Sequence, residues 1–266
     1  MSINLKGSPF SVYTPPLKKV HSLFMTTSGH EKHGKTTFAF SMPTPLAVIT
    51  LDHGTQQILE NERRKGRNIV DLKIGFERDL DKKDAEEQWK LFKRAVQWMI
   101  DEKEIRSGLI DTGSAMYELA RMAEFGSLTK VGKGDHTATA YMNLNMKLDS
   151  IMYALRSRPL NVVFTHKMKK RYVLKPVRNK ATGLVEDKDG WDGGYEVAAY
   201  SQMGYHADVI MQHGFADGQF NAKITGVPRG CGPDMADFFV PQDLLTFPLL
   251  AGILRPEADP GDWEDR

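Results

Sequence analysis

Eight residues, Gly29-His30-Glu31-Lys32-His33-Gly34-Lys35-Thr36, fit the pattern G-x-x-x-x-G-K-[ST] and constrain this chain more than any other part of it. In that pattern the glycines let successive backbone N–H groups curl around a phosphate, the lysine reaches the β and γ phosphates, and the threonine hydroxyl takes a Mg²⁺ ion. The arrangement needs a strand before the loop and a helix after it. The largely apolar run Val20 to Met25 leads in, and Thr37 to Ser41 leads out. The expected ligand is a magnesium nucleoside triphosphate, held by Gly29, His30, Glu31, Lys32, His33, Gly34, Lys35, Thr36 and Thr37. The competing reading is an ordinary glycine turn.

Alternation of strand and helix continues from the loop. Ser22 to Thr27 reads as a strand, Lys35 to Ser41 as a helix and Leu46 to Leu51 as a second buried strand. Apolar residues at Ala85, Trp89, Phe92, Val96 and Met99 have helical spacing, and Gly108 to Ile110 climbs to a carboxylate at Asp111. A further helix uses Tyr141, Leu144, Leu148, Ile151, Met152 and Leu155, followed by the strand Leu160 to Thr165, with Ala207 to Gln212 and Asn221 to Thr225 as later strands. This pattern predicts an α/β fold with a mostly parallel central sheet flanked by helices, ligands at the carboxyl ends of its strands, and a β-rich C-terminal part. Residues 1–19, with Gly7, Pro9, Pro15 and Pro16, read as an extended arm, 20–250 as the core, and 251–266 as a mobile acidic tail.

A chain of 266 residues accommodates one large domain of this kind. Its longest apolar candidate, Leu244 to Leu254, is interrupted by Thr246, Pro248 and Gly252, so no membrane span is expected. Cys231 is the only cysteine, so no intrachain disulfide forms, and a reducing cytoplasm is the natural compartment. A net charge of +2 announces no partner, so any nucleic-acid reading rests on where the charges sit. His30 and His33 lie inside the loop and the lone cysteine has no partner at ligand spacing, so no structural zinc is expected.

Asp111 ends an apolar run and precedes Thr112, Gly113 and Ser114, where a carboxylate can hold Mg²⁺ opposite Thr36; the alternative is a cap for the helix Ala115 to Ala123. Asp52 follows the second strand at the edge where the loop opens and is the candidate for orienting or deprotonating an attacking water, or else a turn residue in Asp52-His53-Gly54. Glu60 and Glu62, in the charged segment 60–67, read as a solvated helical face. Thr165 and His166 close the strand from Leu160 and are candidates for sensing a γ-phosphate, against the simpler reading of His166 as a satisfied group. Directly downstream, Lys167, Lys169, Lys170, Arg171 and Tyr172 place positive charge and an aromatic ring where a nucleic-acid strand would be attracted, with Trp191 and Tyr195 available for base stacking. Lys130 and Lys133, in the segment 126–140, form a second candidate contact. For both segments the alternative is a merely soluble charged loop.

Taken together, Gly29 to Thr37, Ala47-Val48-Ile49-Thr50-Leu51-Asp52-His53, Leu109-Ile110-Asp111-Thr112 and Leu160 to His166 resemble the RecA-type ATPase core over about residues 20 to 230. More narrowly, Asp111-Thr112-Gly113-Ser114-Ala115-Met116-Tyr117-Glu118-Leu119-Ala120 resembles the phage RecA-like proteins grouped with the Sak single-strand annealing families. The resemblance implies ATP and Mg²⁺ as cofactors, ATP bound between subunits of a homo-oligomer, and single-stranded DNA held by two loops, here 126–140 and 167–194. It also gives Asp52 the place of the family's water-activating glutamate, one carbon shorter, and Thr165 with His166 that of its polar sensor. Lys223 and Arg229 are the candidates for reaching across an interface. The expected function is a slow, DNA-stimulated ATPase promoting annealing or strand pairing in phage DNA recombination. The alternatives are a small-molecule or nucleotide kinase, or a non-hydrolysing ATP-gated DNA-binding module that contacts a replisome partner such as a single-strand-binding protein.

Overall fold

The computed structural model describes residues 21–77, 79–128, 138–178, 185–216, 218–227, 238–241 and 243–265. The N-terminal arm, Lys130, Lys133, Cys231 and Arg229 lie outside these. One sheet organises the rest, in the strand order β3 (Ile69–Lys73), β2 (Leu46–Thr50), β4 (Ser107–Asp111), β5 (Asn161–Arg178), β1 (Phe24–Gly29), β7 (Val209–Ala216), β8 (Gln219–Gly226) and β9 (Phe239–Pro241), with β6 (Val185–Ala198) paired to β5. Neighbours from β3 to β7 run parallel, whereas β6, β8 and β9 are antiparallel additions. This is the expected α/β architecture with a β-rich C-terminal side, and the strand ending at Asp111 does lie beside the one carrying Thr165.

Strand residues alternate between two apolar layers, because successive side chains leave a strand on opposite faces. Phe24, Ala47, Ile49, Ile110, Val162 and Phe164 face the helices α3 (Lys82–Asp101), α4 (Gly113–Phe125) and α5 (Ala138–Arg156), a layer that also takes in Met203 of the short α6 (Met203–His206). Met25, Leu46, Val48, Leu109 and Val163 face α1 (Lys35–Phe40), α2 (Gln56–Arg64) and α7 (Phe247–Leu254). Both layers are needed to cover a sheet whose central strands are apolar on either side. The helices begin where short polar side chains satisfy free N–H groups: Asp81 accepts from Asp84 N at α3, and Thr112 accepts from Ala115 N at α4. At the other end of α3, the Arg158 guanidinium donates to the carbonyls of Met99, Ile100, Glu102, Lys103 and Ile105, which fixes the turn into β4.

Four expectations change. The first strand runs from Phe24 to Gly29 rather than from Ser22 to Thr27. β3 was not foreseen, being a short, half-exposed edge strand interrupted by Asp71, whose carboxylate accepts from Thr50. The segment expected as a basic loop is a β-hairpin, since β5 continues past Thr165 to Arg178 and β6 returns beside it. The C-terminal segment is also not a loose tail. Trp263 is 2% exposed in the α1 and α7 layer, Asp265 accepts from Thr44 N and Arg67, and Arg106 donates to the carbonyls of Gly261, Asp262 and Glu264.

Candidate nucleotide site and adjoining hairpin

β1 delivers the chain to the loop at Gly29, where β7 passes so close that a Cβ would lie 2.8 Å from the carbonyl oxygen of His213. Only glycine fits there. Lys32 and Gly34 both adopt left-handed backbone, φ 60° and 84°, and Gly34 caps α1. Such reversals turn consecutive N–H groups toward one side of the loop, the geometry that binds anionic oxygens. Lys35 opens α1 and is buried, its ammonium donating to Gly29 O at 2.9 Å and His30 O at 2.5 Å. Burial pulls its pKa down, with Asp111 and Glu31 opposing that shift.

Asp111, at the end of β4, is 2% exposed and faces the α1 side of the sheet. Its carboxylate accepts from three hydroxyls: Thr36 at 3.3 Å, Thr55, and Thr165 on the neighbouring strand. Burial pushes its pKa up, and the hydrogen bonds from Thr165 and Thr55 oppose the rise. Thr36 and Asp111 therefore present adjacent hard oxygen donors at the foot of the loop. That donor set suits Mg²⁺, which takes oxygen ligands and is ordinarily held by one or two carboxylates together with phosphates. Among the described residues no cluster of three or more His, Cys, Asp or Glu offers another metal site. The helix cap at this junction is Thr112, which leaves Asp111 outside the cap.

Above these groups opens a cavity of about 440 Å³ lined by Glu31, Lys32, Lys35, Thr36, Thr37, Asp52, Thr55, Asp111 and Lys167, among others. Its size suits a nucleotide-sized ligand. Asp52 lines it from the end of β2; one carboxylate oxygen accepts from Gly54 N at 3.1 Å and the other pairs with Lys167 Nζ at 2.6 Å. Lys167, expected on the nucleic-acid surface, thus belongs to the cavity. Thr55 was missed by sequence reasoning. Only the short 3₁₀ turn His53–Thr55, capped by Asp52, brings its hydroxyl to Asp111, and nothing local in the sequence marks it.

The expected pair Thr165 and His166 is split by strand geometry. Thr165 faces Asp111, whereas His166 shares the opposite face with Phe164, is fully buried, and has both ring nitrogens without a hydrogen-bond partner. It packs against Gly113, where a Cβ would lie 2.4 Å from its Cε1. Burial pulls its pKa down to about 3, so the ring is neutral. His166 is a packing group outside the cavity.

The hairpin rises directly from Thr165 and Lys167. Its base is tied to α4 by Ser114, whose hydroxyl donates to Ala198 O and accepts from Lys167 N. Directly opposed residues of an antiparallel pair share a face. Lys170 opposes Tyr195 and Tyr172 opposes Trp191, with the Lys170 ammonium 4.9 Å from the centre of the Trp191 ring. Tyr172, Trp191 and Tyr195 are each more than 40% exposed. Lys169 and Arg171 are engaged with acids, Glu196 at 3.1 Å and Asp192 at 2.7 Å. Lys223 lies over the Phe239 ring.

A family model described as AAA domain matches residues 22–217. No curated protein sequence matches this chain. Among solved structures the chain is similar to one titled "Crystal structure of the RadB recombinase", at 11% identity and a TM-score of 0.44, covering 83% of this chain and 87% of that one. No helix among the described residues is long and apolar enough to cross a membrane.

Proposed function

The chain belongs to the AAA domain family of P-loop nucleoside triphosphatases, and from that premise we propose that it is a RecA-like ATPase whose turnover depends on single-stranded DNA and serves annealing or strand pairing in DNA recombination. The observation that carries the proposal is the continuity of one strand. β5 places Thr165 on the buried carboxylate and Lys167 in the cavity, then continues outward to Lys170 and Tyr172, opposite Tyr195 and Trp191. A nucleotide site and an exposed aromatic face with a cation on it thus share one strand. Aromatic side chains hold unpaired bases without regard to sequence, and lysine supplies attraction to the backbone.

In this reading the curled loop and Lys35 hold the β and γ phosphates, and Thr36 with Asp111 holds Mg²⁺. The ion supplies charge neutralisation at the phosphates. Asp52 orients or deprotonates the attacking water, and Lys167 keeps its carboxylate turned into the cavity. Assembly of several copies with nucleotide at their junctions is part of the same proposal. It is supported by large exposed apolar side chains on α5, Met142, Met146 and Tyr153, beside Tyr205, since clusters of this kind mark interaction surfaces.

The test is phosphate release from ATP with and without single-stranded DNA. The wild-type rate rises on adding DNA, Lys35→Ala abolishes turnover, and Asp52→Ala lowers it by roughly 10²-fold or more. A rate indifferent to DNA, or consumption of ATP only with a small-molecule acceptor, contradicts the proposal.

A further inference from the structure

Six aromatic rings form an unbroken chain across the mouth of the phosphate loop. Centroid separations run 6.1 Å from Trp191 to Tyr195, 4.6 Å from Tyr195 to His30, 5.6 Å from His30 to His33, 5.5 Å from His33 to Phe220, and 4.9 Å from Phe220 to Phe215. The two histidines are interior residues of the loop itself. On one side the chain joins the loop to the β5–β6 hairpin, and on the other to the β7–β8 hairpin. The His30 and Tyr195 rings meet at 86°, an edge-to-face contact whose strength depends on ring orientation.

Movement at the loop reaches this contact through Lys35. An ammonium has three donors, and here two of them go to the carbonyls of Gly29 and His30. A phosphate seated in the loop competes for those donors. A phosphate that draws the ammonium away from the His30 carbonyl releases the peptide that carries the His30 ring. His33 meets Phe220 at the other end of the loop, and a displacement of the His30 peptide reaches Tyr195 through the ring that His30 carries.

We infer that His30, edge-on to Tyr195, couples nucleotide binding in the phosphate loop to the exposed aromatic face of the hairpin. The inference rests on the reading of that face as a surface for unpaired bases. It is distinct from the continuity of β5 through Thr165 and Lys167.

The experiment measures the affinity of a labelled oligothymidylate by fluorescence anisotropy, with no nucleotide and with a saturating non-hydrolysable ATP analogue plus Mg²⁺, for wild type, His30→Ala, Tyr195→Ala and Tyr195→Phe. Saturation is set by each variant's own nucleotide titration, so the ratio of the two DNA affinities reports coupling independently of either absolute value. The wild-type ratio is expected to differ from unity by roughly 5-fold or more. It collapses to within about twofold of unity in His30→Ala and Tyr195→Ala, and it survives in Tyr195→Phe, which keeps the ring. A wild-type ratio of unity, or a ratio unchanged in both alanine variants, overturns the inference while DNA binding stands. Absence of DNA binding in the wild type overturns the functional reading beneath it.

Discussion

Asp111 carries a carboxylate into a space that is 2% exposed, and three threonine hydroxyls are what it meets there. Burial favours its neutral form, so its folded pKa lies above the unfolded value of about 3.9. The sign follows: the site is least costly below that unfolded value, and stability declines as pH rises through the folded pKa. Asp111→Asn is therefore expected to raise Tm at pH 7, an advantage that shrinks toward pH 4, while abolishing Mg²⁺-dependent nucleotide binding. Thermal scans of both proteins across pH check this. His166 titrates in the opposite sense. Its pKa is depressed to about 3, so stability is full above the unfolded value of about 6.5 and is lost as pH falls toward 3. His166→Leu is expected to cut the loss between pH 7 and pH 5 by about 2 kcal/mol, read by urea unfolding at the two pH values. Sequence placed Thr165 and His166 together because they are adjacent, but a strand sends adjacent side chains to opposite faces, and only one of them reaches the cavity.

Among the elements, α3 and α5 were legible because their apolar residues recur at helical spacing over many turns, and β1, β2 and β4 because of the loop and carboxylates that follow them. The β5–β6 hairpin was not. Its acidic and basic partners lie 27 and 21 residues apart, so neither the pairing of Lys169 with Glu196 nor that of Arg171 with Asp192 shows in a linear reading. The pairing changes what the hairpin is expected to do. Glu196→Gln releases Lys169, so DNA binding tightens and its salt dependence steepens by roughly 0.7 in log–log slope. Tyr172→Ala weakens binding by about 1–3 kcal/mol and leaves that slope unchanged. Anisotropy titrations at several salt concentrations separate the two. At the base of the hairpin, Gly113→Ala drives a methyl group into the buried His166 ring and is expected to cost about 1–3 kcal/mol, with His166→Ala partly restoring stability in the double variant.

For the molecule as a whole, the C-terminal segment closes one side of the core. Its acidic composition reads as solvated, yet Trp263 is buried against Phe247 and Asp265 is bound by Arg67 and the Thr44 amide. Composition alone could not reveal this, because the groups that accept the segment come from β2's approach, α7 and the turn before β4. Trp263→Ala is expected to cost about 3–5 kcal/mol by urea unfolding, where a solvated tail would show no change. That packing lies in the same layer as α1, the helix that carries Lys35 and Thr36, so the loop stands on a fixed base. The claim on which everything else depends is that this loop grips a triphosphate. Isothermal titration of Mg²⁺ and ATP into the full chain is predicted to give saturable heat with one nucleotide per chain, lost in Lys35→Ala; absence of heat with any nucleoside triphosphate, or an unchanged isotherm in Lys35→Ala, would contradict it.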